Sequence, residues 1–364
     1  MPRIFLLTLL LAFLPVCSMA GSAAETEEFR ADEYIIEHIV DSYGWHITTF
    51  KETGISIPLP IILFDNGKLV CFMSSKFHHG TQAYKGYALG FTSDTKGKIV
   101  KLQDEDANFT GVLEKEKTYT FNTDFFDISI SKNVCSLFIS IFIMCWIFLS
   151  VAKTYKRNPD KAPRGFQGMI EMVILFIRDE IAIPLIGVHK YQKFFPYLLT
   201  LFFFILINNL MGLIPIFPGG ANVTGNIAIT MILALITFAV VSFSSNKNYW
   251  KHIFNPPGVP WWLKIPIPLL PFIEFLGMLT KPFVLMIRLF ANIVAGHIII
   301  LGFLGLIFIF GAMAPVWGYV ASPISIFFYL FMGAIELLVA FIQAFIFTLL
   351  TALYIGMAIE EQHA

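Results

Sequence analysis

Charged side chains are scarce in this chain. Only 14% of its 364 residues are Asp, Glu, Lys or Arg, where a soluble domain carries about one-quarter. With 57% hydrophobic residues, an ordinary water-soluble enzyme is excluded as the bulk of the molecule. The 25 basic and 25 acidic residues cancel, so no basic excess is left to hold nucleic acid. Cysteine is sparse too. Cys17, Cys71, Cys135 and Cys145 show neither metal-ligand spacing nor a disulfide framework. No internal repeat is visible, which argues against the paired halves of many secondary transporters. What the chain does have is phenylalanine, 39 of them, suited to lipid-facing and helix-packing surfaces.

Residues 1–20 read as a secretory signal peptide: Arg3, an apolar run from Ile4 to Val16, then Ser18 and Ala20 as small residues before a cut. An uncleaved anchor is the alternative, and Cys17 as a lipoprotein cysteine is a weaker one. Residues 21–130 are mixed in polarity. Glu27–Tyr43 suits a helix. Ile55–Phe64 and Lys68–Met73 suit strands joined at Asn66-Gly67, the strongest short hairpin signal. Another turn is expected at Ser93–Gly97. His78 and His79, adjacent on a strand, would point to opposite faces and make poor metal ligands.

From residue 131 the composition is that of a membrane domain. Val134–Ala152 has the ~20 apolar residues of a span. Lys153, Lys156, Arg157, Lys161 and Arg164 follow it, which places that loop in the cytoplasm. Gly165–Gly187, with Glu171, Arg178, Asp179 and Glu180, is too polar to cross and suits an amphipathic helix on the surface. Phe194–Ile216 and Asn226–Phe243 are the second and third spans, joined through Phe217–Gly220. Asn255–Pro260, Pro266, Pro268 and Pro271 form a stiff connector, with Trp261 and Trp262 suited to the interface. Two apolar stretches, Pro271–Phe310 and Pro323–Ile359, exceed the ~25 residues that cross upright and must tilt or curve. The count of five leaves Glu360 and Glu361 in the cytoplasm.

One of those stretches carries Arg288. A charge at bilayer depth costs about 3 kcal/mol on insertion scales, so it is kept only where it faces a partner or water. Arginine does not give up its proton, so Arg288 is a fixed cation and not a relay. At roughly 100° and 1.5 Å per residue, Asn292 lies on the same face one turn on, while His297 lies on the opposite face. On the last helix Glu336, Gln343 and Tyr354 fall near one stripe. This suits two wet pockets divided by a positive charge, with His297 and Glu336 as the titrating groups. Other readings stand beside it. Arg288 would pair with Glu336 as a structural bridge, or His297 and Gln343 would serve as interhelical glue. Asn208, Asn209, Asn222 and Asn226 would line a pocket or only pack, and Glu274 would line an access path or only snorkel.

Three motifs, in order, resemble subunit a of the F-type ATP synthase over residues 134–362. They are Phe204–Pro215 with Asn208 and Asn209, Leu279–Asn292 with Arg288, and Gln343–Tyr354. The resemblance implies the stator of a rotary membrane motor. In that family protons enter one half-channel, protonate a carboxylate on a ring of c-subunits, and leave by the other. Arg288 then matches the arginine that attracts the ionised ring carboxylate and blocks leakage. Asn292, Gln343 and Glu274 match other family positions. A b-subunit peripheral stalk, other synthase subunits and membrane lipid are the remaining partners implied; no cofactor, metal or nucleic acid is. Departures exist. Many bacterial members carry the acid at position 297 and the histidine at 336, the reverse of this chain. Val284 stands where serine is frequent, and Asn222 where aspartate is. The long N-terminal region resembles that of extended Bacteroidetes-type members.

The expectation is therefore an all-α polytopic membrane protein with five spans and an interfacial amphipathic helix. The last two helices are long and tilted, and a small β-rich extracytoplasmic domain precedes them. The chain divides into a signal peptide (1–20), an α+β domain (21–130) and a membrane domain (131–364). The setting is a bacterial inner membrane, with the N-terminal domain periplasmic and the C-terminus cytoplasmic. The expected role is proton translocation, without catalysis by the chain itself. The alternative is a self-contained transporter or channel with a sensory domain. A purely structural anchor leaves Arg288, His297 and Glu336 unexplained.

Overall fold

The computed structural model describes residues 41–50, 53–90, 95, 97–102, 109–112, 121–122, 124–157, 163–214, 219–254 and 269–359. The expected signal peptide, most of the expected helix at 27–43, residues 255–268 of the proline-rich connector with its two tryptophans, and Glu360 and Glu361 lie outside them, while Pro271 of that connector lies inside a helix. Residues 41–43, at the end of that expected helix, are not helical.

Among the described residues the N-terminal region holds ten short strands. They are β1 (Gly44–Phe50), β2 (Thr53–Pro58), β3 (Pro60–Asp65), β4 (Lys68–Met73), β5 (Gln82–Ala83), β6 (Tyr87–Leu89), β7 (Ile99–Leu102), β8 (Gly111–Val112), β9 (Phe121–Asn122) and β10 (Phe126–Asp127). The expected single strand at 55–64 is two. Pro58 and Pro60 flank Leu59, and proline offers no N–H to a ladder. The chain therefore leaves the β1–β2 hairpin and enters a second sheet, ordered β10-β3-β4. Asn66 and Gly67 close β3 on β4 with φ of 48° and 77°, the double positive φ of the favoured hairpin turn. β6 and β7 pair antiparallel around the second expected turn, of which residues 93, 94 and 96 lie outside the described set. His78 sits in a 3-10 helix, Ser74–Gly80, and not on a strand. No metal-binding cluster occurs among the described residues.

The sheets close on Ile61, Leu63, Phe77, Tyr87 and Ile99. One polar knot sits in this core. Asp65 accepts hydrogen bonds from the Lys101 ammonium and, at 2.7 Å, from the Tyr87 hydroxyl. The Lys101 hydrogen bond holds the carboxyl of Asp65 below its usual range, against the opposing effect of burial. A depressed folded-state pKa gives stability that is present above about pH 4 and lost as pH falls further. Asp65→Asn should destabilise the β domain by about 2 kcal/mol, the scale of a hydrogen bond to a charged group. Limited proteolysis of the full chain at pH 7 measures it, as about 30-fold faster cleavage within residues 41–130.

The rest of the chain is helical: α1 (Lys132–Arg157), α2 (Phe166–Phe176), a π-helical turn (Ile177–Ala182), α3 (Ile183–Ile186), α4 (Tyr191–Leu213), α5 (Ile227–Ser244), α6 (Lys247–Phe254), α7 (Leu269–Met313) and α8 (Pro315–Ile359). Five of these are long and apolar enough to span a membrane: α1, α4, α5, α7 and α8. The chain is a polytopic membrane protein. α2 and α3 run through the π-turn as the expected amphipathic segment, burying Ile177 and Ile181 and exposing Arg178 and Asp179. Three expected spans were shorter than the helices, which run on into Lys156 and Arg157 in α1, to Leu269 and Met313 in α7, and back past Pro323 in α8. The second was set too far along, since α4 ends at Leu213 and not at Ile216, and the third agrees to within one residue.

α7 and α8 form a long antiparallel hairpin. Its turn is closed by glycine: a Cβ on Gly318 would lie 2.9 Å from the Cα of Gly311. α4 and α5 pack on that hairpin, and α1 packs on α4. Leu198, Phe202, Ile205, Leu285, Leu289, Ala344, Phe347 and Ile355 fill the centre. α3 packs on the end of α8, where a Cβ on Gly356 would overlap the Leu185 carbonyl.

The β domain is fastened to the helices at two points. Asp41 accepts from the Ser131 hydroxyl at 2.6 Å and from the Asn133 backbone N–H at 3.0 Å, so it caps the start of α1. Trp45 of β1 is 3% exposed and packs with Ala221 and Val223 of the α4–α5 loop.

Candidate functional site

A seam of buried side chains runs along α7: Met278, Leu285, Leu289 and Ile293. On one flank of the seam lie Lys281, half-buried Arg288 and exposed Asn292. On the other flank lies half-buried His297, nine residues and therefore about half a revolution from Arg288. The two candidate groups thus leave α7 in opposite directions.

The His297 side is closed. Its Nδ1 lies 2.9 Å from Oε1 of Glu336 on α8, and the Glu336 side chain is only 3% exposed. Glycines clear the space. A Cβ on Gly296 would come 2.7 Å from the same carboxylate oxygen, and one on Gly212 of α4 would lie 3.6 Å from His297 Nε2. Glu336 therefore pairs with His297, and among the described residues no ion pair joins it to Arg288. Apart from His297 the carboxylate has no hydrogen-bond partner, and each uncompensated buried polar atom is costly.

Around this pair lie the asparagines and several hydroxyls. Asn209 donates to the Ala340 carbonyl of α8 at 3.1 Å and accepts from Thr224 at 2.7 Å. Asn208 donates to Phe204 of its own helix, which leaves its buried Oδ1 unpartnered. Asn222 accepts from the Gly225 N–H, and its Nδ2 is buried without a partner. Asn226 instead caps α5 through the Ala228 N–H and is partly exposed. Sequence reasoning missed Asn133, Ser136 and Ser140, a buried polar stripe on α1. Their spacing of three and four residues was the available signal.

The Arg288 side is different. Glu274, Lys281 and Arg288 are seven residues apart, which puts them on one stripe. Lys281 was also missed; its ammonium lies 5.1 Å from the centre of the Tyr354 ring. Thr237, Tyr249, Lys281, Pro282 and Tyr354 surround a cavity of about 10 Å³, room for about one water. Burial, then the nearby Glu274 charge, raises the Tyr249 hydroxyl above its usual range. Gln343 is buried on the same α8 stripe as Glu336 and Ala340. Beside Arg288 the outer face of α7 presents Ala291 and Ala295, both exposed.

Five apolar helices, an unpaired fixed cation at the outer face of one of them and a histidine–carboxylate pair on its opposite side define a membrane protein of the ion-translocating kind. Residues 134–356 match the ATP synthase A chain family. The chain belongs to that family. Residues 34–127 match a domain of unknown function (DUF8433), so the β region is recognised as a unit apart from the helices. Among relatives, ATP synthase subunit a of Chloroherpeton thalassium is 42% identical over 243 residues, 65% of this chain and 68% of the relative. ATP synthase subunit a of Chlorobium phaeobacteroides is 41% identical over 298 residues, 79% of this chain and 82% of the relative, a match too long for the helices alone.

Proposed function

We propose that this chain is the proton-conducting stator of the membrane sector of an F-type ATP synthase, working against a ring of c-subunits. The observation that carries this is the opposed placement of two groups on α7. Arg288 and Asn292 face outward beside small residues, and small side chains let a neighbouring helix approach closely. His297 and Glu336 face inward in contact. A ring carboxylate meeting Arg288 is held as an anion. It picks up a proton delivered through the His297–Glu336 side and, after rotation, gives it up toward Glu274, Lys281 and Tyr249. Asn292 and Gln343 flank the cation without neutralising it. Asn208, Asn209 and Asn222 line the first path, Tyr354 borders the second, and Asn226 frames the loop as a cap.

The chain itself breaks and makes no substrate bond. It converts proton flow into torque, with about 2.3 kcal/mol available per charge per 100 mV. The β domain lies outside the cytoplasm of a bacterial cell and the basic loop after α1 lies inside it. A peripheral stalk of b-subunits holds the chain against rotation. The rival reading is a self-contained transporter. Reconstitution separates the two. The purified chain alone in vesicles should conduct no more protons than empty vesicles, and conduction should appear with the c-ring. Coupled transport by the chain alone would overturn the stator assignment.

A further inference from the structure

The loop between α4 and α5 touches three things at once. Ala221 and Val223 are fully buried and pack with Trp45 of the β domain. The Ala221 carbonyl oxygen and His297 Nε2 both lie within 4 Å of one point, the place a Cβ on Gly212 would occupy. Thr224 is tied through Asn209 to the Ala340 carbonyl, one turn beyond Glu336. Between these anchors sits Asn222, 4% exposed, with its side-chain amide nitrogen unpartnered. The second fastening joins Asp41 to the Asn133 N–H at the start of α1, and the Ser136 hydroxyl, three residues further on, is likewise buried and unpartnered.

We propose that the β domain is a collar for proton access, with Trp45 as its positioning residue: by clamping Ala221 and Val223 it holds the Ala221 carbonyl near His297 and keeps Asn222, between the clamped residues, buried. The proposal rests on the stator reading above. Its physical basis is the cost of the arrangement. A loop carrying unpartnered buried polar atoms relaxes toward water unless something holds it. The described loop residues flanking Asn222 carry little apolar bulk of their own, and the β domain's side chains in this cluster are Trp45, which is buried, and Ile57, which is partly buried.

The test uses the assembled synthase in membranes, with Cys17, Cys71, Cys135 and Cys145 replaced by serine. Asn222→Cys reports the loop through its labelling rate with a membrane-impermeant maleimide. Proton conductance of the membrane sector, measured against outer pH in the chain with Asn222 intact, reports access. Trp45→Ala should raise labelling about tenfold or more, as expected for local opening of a buried loop. It should also lower conductance and shift its dependence on outer pH. Trp45→Phe, which keeps an aromatic wedge, should restore both. Val223→Ala removes the loop's half of the contact and serves the same purpose if Trp45→Ala does not assemble. Unchanged labelling would show that Trp45 does not hold the loop. Raised labelling with a wild-type conductance profile would make the joint merely structural. Either result overturns the collar. A parent complex that conducts no protons at all would instead sink the stator reading, and the collar with it, while the labelling rates still report the loop.

Discussion

Arg288→Ala should abolish proton-driven ATP synthesis while the complex still assembles. Arg288 is half-buried and, among the described residues, has no ion-pair partner. Its removal therefore breaks no pair within the chain and leaves the Met278–Ile293 seam intact. What is lost is the field at the open face of α7. Two unit charges about 4 Å apart attract by roughly 4 kcal/mol at an effective dielectric of 20, equivalent to about a thousandfold in the population of the ionised partner. Arg288→Lys should fail nearly as badly, since an ammonium in an apolar setting sheds its proton where a guanidinium does not. ATP-driven proton pumping in inverted vesicles is the measurement. Pumping at the normal rate in the alanine variant would mean that the cation gates nothing.

The second large effect concerns the pair behind it. His297→Glu alone sets two carboxylates about 3 Å apart, and like charges that close cannot both ionise. Glu336→His alone replaces the acid by a second imidazole and leaves two cations facing when both are protonated. Each single variant should lose about a hundredfold in coupled synthesis, the low end of what a positioned proton-transfer group contributes. The double exchange restores one acid and one base in the same 2.9 Å contact and should recover most of the rate. Assembly, measured by the amount of chain co-purifying with the complex, should be equal in all three. If the double variant were as poor as the singles, the contact would not be a working pair.

Much of this was legible before any coordinates. A lone guanidinium in an apolar stretch is a strong signal because its cost is large. Asn66-Gly67 is a strong signal because few residue pairs tolerate two positive φ angles. Ideal helix arithmetic placed Arg288 and His297 on opposite flanks, since a regular helix leaves no freedom in that angle. It left open which helix each would meet. Contact between His297 and Glu336 depends on the register of α7 against α8, which the glycines at 296, 311 and 318 set and no periodicity reveals. The hydroxyls of Ser136 and Ser140 were passed over because single serines in a span look alike whether they face lipid or protein. The apolar run Leu69–Met73 suggests a strand continuing to His78; the chain instead turns into a 3-10 helix directly after Met73. Leu59 reads as mid-strand because the apolar run continues across it, but Pro58 and Pro60, which offer no N–H to a ladder, divide the sheets there.

The lengths of α7 and α8 bear on where the two proposed proton paths open. Each helix has 45 residues, about 68 Å at 1.5 Å per residue. A straight rod of that length fits a hydrocarbon slab about 30 Å thick only when it leans roughly 60° from the normal. Leaning so, nine residues carry the chain about 6 Å in depth but about 12 Å sideways. Arg288 and His297 then stand almost level with each other in the bilayer, displaced along the rim of the proposed ring. Neighbouring stations on a wheel need a sideways step of that kind, whereas an upright helix would have stacked them one above the other.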